Sequence, residues 1–104
     1  FNQDLSKWKV SKVTNMSCMF SSATTFNGNI ANWNVSKVVD MSNMFNVATS
    51  FNCNLSEWNT SQITNLSRMF MSAENFNGDI SAWNVSRVVN MCGMFSGAEK
   101  FNGD

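Results

Sequence analysis

Phe-Asn recurs at Phe1-Asn2, Phe26-Asn27, Phe51-Asn52, Phe76-Asn77 and Phe101-Asn102, a spacing of 25 residues with no insertion. A period of that length marks a repeat architecture, in which each unit is too small to bury its own apolar face and buries it against its neighbours. Cut at these phenylalanines, the chain divides into coils 1–25, 26–50, 51–75 and 76–100, with 101–104 opening a fifth. We read residues 1–104 as a single repeat array. Because Phe1, Leu5 and Phe101 are core-type residues at the two ends, the array is expected to be part of a longer one or to have its ends covered by neighbouring subunits.

Every aromatic side chain falls at one of three phases. The nine phenylalanines occupy positions 1 and 20 of the coil, and Trp8, Trp33, Trp58 and Trp83 occupy position 8. The aliphatic phases are as regular: Leu5, Ile30, Leu55, Ile80; Val10, Val35, Val85, with Thr60 the exception; Val13, Val38, Ile63, Val88; Met16, Met41, Leu66, Met91. Trp8 and Val10 alternate with Lys7, Lys9 and Ser11, the period of a half-buried strand. Met16, Met19, Phe20 and Ala23 recur at i, i+3, i+4 and i+7, the spacing of a helical face. Asn15, Asp40, Asn65 and Asn90 precede it, placed to cap a first helical turn. Gly28, Gly78 and Gly103 stand where the Phe-Asn turn asks for backbone freedom. The expected fold is therefore an α/β solenoid of four coils, each with one short parallel β-strand near positions 7–10 and one short α or 3₁₀ helix.

The series Leu5-x-x-Trp8-x-Val10-x-x-Val13-x-x-Met16, followed by Met19-Phe20-x-x-Ala23-x-x-Phe26, resembles the BspA-like leucine-rich repeat in the form common in surface lipoproteins of mycoplasmas. Ile80 to Ser86 and Met91 to Phe95 follow that family's wording with one substitution, Cys92 for Ser. The resemblance covers all four coils and implies a leucine-rich-repeat-like solenoid, an extracellular or cell-surface location and a role in adhesion or recognition. It carries no catalytic motif.

Seven basic residues balance seven acidic ones, so no clustered excess of Lys and Arg supports nucleic-acid binding. No run of 18 apolar residues spans a membrane in this segment. Histidine is absent and the acids are scattered over several phases, which leaves no nucleophile and base pair to repeat and points away from an enzyme. No cofactor is expected. The oxygen ladder Asp4, Asn29, Asn54, Asp79 holds fewer carboxylates than a Ca²⁺ site usually gathers. The methionine phases read as core rather than as a soft-metal site. Cys18, Cys53 and Cys92 fall at three different phases and form no repeated framework.

Two ladders of polar side chains remain. The Asn27, Asn52, Asn77 and Asn102 amides, with Asn2, are expected to satisfy backbone groups of the turn. The polar side of the expected strand is left for a partner: Asn34, Asn59 and Asn84, then Ser36, Ser61 and Ser86, beside a basic edge of Lys12, Lys37 and Arg87. Amides and hydroxyls in such an array suit a glycan or a protein at a cell surface. Six Asn-x-Ser/Thr sequons occur, at Asn15, Asn34, Asn54, Asn59, Asn65 and Asn84. The outward-facing Asn34, Asn59 and Asn84 are the better candidates for glycosylation. The functional expectation is a non-enzymatic recognition or adhesion module. The alternative is a structural segment of a filament or stalk, built end to end.

Overall fold

The computed structural model describes residues 5–102. Phe1, Asn2, Asp4 and Gly103, to which the repeat assigns turn, ladder and core roles, lie outside the described residues. The body measures 30 × 27 × 21 Å, and the four repeats lie flat against one another along it. Among the described residues there is no helix, and the only parallel bridges are the single-residue ones joining Asn15 to Asp40, Asp40 to Asn65 and Asn65 to Asn90. The expected α/β solenoid, with a strand and a helix in each coil, is not what forms.

What forms instead is a string of turns. In the second repeat, backbone N–H groups bond three residues back from Trp33 to Ile30, Val38 to Val35, Met44 to Met41, Asn46 to Asn43, Ala48 to Phe45 and Phe51 to Ala48, at 3.0–3.2 Å. Apolar residues close nearly all of these turns. A spacing of three therefore brings side chains to one side, as it would in a helix, without any i→i+4 bond. Helical continuation is broken by positive φ at Asn43 (57°) and Val47 (62°), repeated at Cys18, Ser22, Arg68, Ser72, Gly93 and Gly97. Each is the third residue of a turn, where a type II geometry requires that sign.

The backbone accounting explains why no helix is needed. From Met41 to Ala48 every N–H has a partner. Those of Met41, Asn43, Phe45 and Val47 donate to Asn65, Ser67, Met69 and Met71 of the next repeat, and those of Met44, Asn46 and Ala48 close turns. The eighth, from Ser42, goes to the Asp40 carboxylate. With all donors satisfied, a helix would gain nothing in hydrogen bonding. Asn15, Asp40, Asn65 and Asn90 are accordingly not helix caps. Each accepts at 2.8–3.0 Å from the N–H two residues on, which is an Asx-turn.

The core runs between the stacked repeats. Phe20, Phe45, Phe70 and Phe95 form one column, with ring centroids 5.5–5.6 Å apart. Phe26, Phe51, Phe76 and Phe101 form a second at 5.9–6.0 Å, and the two columns touch at 4.0–4.2 Å. Each near-parallel pair contributes roughly 0.5–1.5 kcal/mol beyond its buried area. Thr60, which stands where other repeats have valine, is buried and donates its hydroxyl to the Asn84 carbonyl at 3.2 Å. Gly78 has no positive φ; a Cβ there would strike the Cys53 carbonyl oxygen. Close approach, and not the backbone freedom expected of a turn glycine, is what Gly78 serves, and Gly28 likewise has no positive φ.

Candidate functional site

Asx-turns hold the candidate residues in place. Asn34, Asn59 and Asn84 are exposed, and the Oδ1 of each accepts from the backbone N–H of Ser36, Ser61 and Ser86, at 3.0–3.1 Å. The side-chain carbonyl is thus committed to the chain's own turn, and the amide Nδ2 donor is what remains for a ligand. Ser36 and Ser61 are half-buried and Ser86 is exposed, as are Lys12, Lys37 and Arg87. With no strand there is no strand face; the array is a row of turn corners repeated from layer to layer.

Two of the candidate asparagines share a concavity. Asn34 and Asn59 line an open depression of about 480 Å³ with Asn32 and Glu57, over Trp33 and Val35. Asn84, the three serines and the three cations are not among its lining residues. Glu57 and Asn32 were not singled out from the sequence, because their phase reads Lys7, Asn32, Glu57, Ala82 and shows no chemical repeat. Only their meeting across adjacent repeats makes them partners.

The tryptophans offer no stacking platform inside the array. Trp33, Trp58 and Trp83 are buried, and their indole N–H groups donate to the carbonyls of Leu5, Ile30 and Leu55 at 2.9, 3.1 and 3.0 Å. On another side, Asn27, Asn52 and Asn77 accept through Oδ1 from the backbone N–H of Asn52, Asn77 and Asn102 at 2.8–3.0 Å. That ladder ties each repeat to the next, as its phase in the sequence led us to expect.

The position-4 oxygens are also committed. Asn29, Asn54 and Asp79 accept from the N–H of Ala31, Ser56 and Ser81 at 2.9–3.0 Å. Asp79 accepts from the Ser81 hydroxyl as well, at 2.7 Å. The Ser81 backbone bond, then its hydroxyl, holds the Asp79 carboxyl below its ordinary value. Among the described residues no three His, Cys, Asp or Glu side chains group so as to hold a metal ion, and no helix is long and apolar enough to cross a membrane. Cys18, Cys53 and Cys92 are free thiols.

No curated protein and no solved structure matches the chain. The resemblance to the BspA-like repeat is not confirmed by the family model that matches. That model, described as a Mycoplasma protein of unknown function, DUF285, matches residues 1–104, and the chain belongs to this family.

Proposed function

We propose that the chain is a non-enzymatic recognition module, exposed at a cell surface, that binds a neutral polar ligand, a glycan or a protein surface, through the asparagine corners of successive repeats. The observation that carries this reading is the depression joining Asn34 and Asn59 to Asn32 and Glu57. Amide donors and a carboxylate acceptor over an apolar floor match the alternating hydroxyls and C–H faces of a sugar. Asx-turns freeze the amides before the ligand arrives, so little side-chain entropy is lost on binding. The resemblance to BspA-like repeats of surface lipoproteins supports the cell-surface placement. Asn34, Asn59 and Asn84 are also exposed sequons, and they remain the proposed sites of glycosylation.

The test uses Asn34→Asp, Asn59→Asp and Asn84→Asp together. Aspartate at Asp40 and Asp79 makes the same turn as its asparagine counterparts, so the triple change keeps the backbone while replacing three Nδ2 donors with charged carboxylate oxygens. The parent chain is expected to be retained by at least one neutral glycan of an immobilised panel, and the variant to lose that retention with its circular dichroism unchanged. Equal retention of both, or none of the parent, overturns the reading.

A further inference from the structure

Equal in number, the charges of this chain are unequal in place. Counted from the phenylalanine that opens each repeat, five of the seven cations, Lys7, Lys9, Lys12, Lys37 and Arg87, fall at positions 7 to 12, where Glu57 is the one acid. The other acids fall at positions 4, 15 and 24. All five cations are exposed, and among the described residues none is held in an ion pair. A net charge of zero therefore goes with a basic side on the stack.

The repeats align three of these cations. In every repeat the N–H of position 13, from Val13, Val38, Ile63 and Val88, closes a turn on the carbonyl of position 10 at 3.0–3.1 Å. Beside that turn, Val39, Thr64 and Val89 donate to the carbonyls of Thr14, Val39 and Thr64 at 2.8 Å, which fixes the register of adjacent layers. Position 12 is the third residue of the turn each time, so Lys12, Lys37, Gln62 and Arg87 stand one above another as an exposed column. At about 5 Å per layer the column is roughly 15 Å long. Lys12 and Lys37 are like charges on adjacent layers and repel each other, a cost that an anion between them reverses. None of the four residues lines the asparagine depression.

What flanks the column decides among anions. Position 11 is serine in all four repeats, and position 14 reads Thr14, Val39, Thr64 and Val89. Bases of a single-stranded nucleic acid stack on aromatic faces, and neither flank has one. A membrane interface takes up aromatic and long apolar side chains beside the cations, and neither flank supplies them. Hydroxyls and methyl groups match the hydroxyls and C–H faces of a sugar chain.

We propose that the position-12 column binds a linear sulfated polysaccharide laid along the stack. Lys12 and Lys37 share one sulfate, whose three oxygens suit donors from two neighbouring layers, and Arg87 takes another through parallel N–H bonds. Gln62 donates its amide in the gap, and the sugar hydroxyls meet the serine and threonine columns. This is a second surface, independent of the recognition reading: that reading is tested with neutral glycans, and either can fail alone.

The experiment is binding to immobilised dextran sulfate. The parent chain is expected to bind, with affinity falling roughly 40-fold between about 50 and about 200 mM salt, as three charge contacts to a dense polyanion imply. Gln62 shows that the turn accepts glutamine at this position. Lys12→Gln, Lys37→Gln and Arg87→Gln together are therefore expected to keep the circular dichroism spectrum and to weaken binding at least about tenfold. Gln62→Lys completes the column and is expected to tighten binding and steepen the salt slope by about one, an outcome that decides the matter even if the triple variant misfolds. Arg68→Gln with Lys100→Gln removes two charges outside the column and is expected to leave affinity within about twofold. No binding by the parent at the lower salt, a triple variant that folds and binds like the parent, or no gain from Gln62→Lys overturns the proposal. So does an equal loss from the Arg68 and Lys100 changes, or equal binding to single-stranded DNA or phosphatidylglycerol vesicles, since the surface would then be reading charge alone.

Discussion

The second and fourth repeats carry the same apolar residues at the same core phases and do different things with them. Val35 is 1% exposed and Val85 43%; Met41 is fully buried and Met91 47% exposed. Nothing in the local sequence separates these pairs, and the turns that hold them are the same. The difference is the presence of a following layer: each repeat's side chains are covered mainly by the repeat after it. The first repeat confirms this polarity, since Leu5, Val10, Met16 and Phe20 are buried although no described repeat precedes them. Burial in this molecule belongs to the junction and not to the residue.

Truncating one phase in both repeats puts that statement at risk. Met41→Ala is expected to cost about 2–5 kcal/mol, the range for an emptied methionine site in a core. Met91→Ala, at the uncovered end, is expected to cost under about 1 kcal/mol. Urea unfolding of the two variants checks it, and equal costs would mean that the end is covered in solution.

A smaller contrast isolates the indole hydrogen bond. Trp58→Phe keeps an aromatic ring but leaves the Ile30 carbonyl without its indole donor inside the core, and is expected to cost about 1–3 kcal/mol. Trp8→Phe removes no such bond, because among the described residues the Trp8 indole has no acceptor, and its expected cost in the dilute chain is close to zero. Denaturant midpoints measured at low protein concentration compare the two directly.

These contrasts also show what could be read in advance. The 25-residue period, the phenylalanine phases and the position-2 asparagine ladder follow from spacing alone, whereas the tryptophan phase was placed on a strand face that does not form, and Trp33, Trp58 and Trp83 are buried while Trp8 is exposed. The helix did not, because Met16, Met19, Phe20 and Ala23 satisfy a string of turns as well as a helical face; both place residues three apart on one side. The deciding signal was present in Gly93 and Gly97, which occupy two phases four apart inside the supposed helix, joined at the first by Asn43. Glycine and asparagine tolerate positive φ, so those two phases mark left-handed corners. Cys18, Val47 and Arg68 at the same phases hid the pattern, since the stack holds them at positive φ against their own preference. Of the candidate site, Asn34, Asn59 and Asn84 were read as the polar face of a strand, and the Asx-turns that hold them were not recognised, although Asn-x-Ser at three phases spells them. The depression with Glu57 could not be read at all, because it joins phases of adjacent repeats that share no chemistry.

The smallest expected effect concerns position 4, where the second and third repeats use Asn29 and Asn54 and the fourth uses Asp79. All three make the same turn, so Asp79→Asn should keep the fold and remove only a charge. A carboxyl held low in the folded chain contributes stability that is fully present above its unfolded pKa and lost as pH falls through the folded value. The Ser81 bonds hold Asp79 low, so the parent chain should lose stability relative to Asp79→Asn as pH drops below the ordinary aspartate range, and the difference should be constant near neutrality. The carboxylate is fully exposed and water screens it, so the shift is small and best read as the change in urea midpoint difference between the two chains across an acid series. A difference that stays flat to the lowest pH would mean that the Ser81 bonds are no stronger to the carboxylate than to the protonated carboxyl.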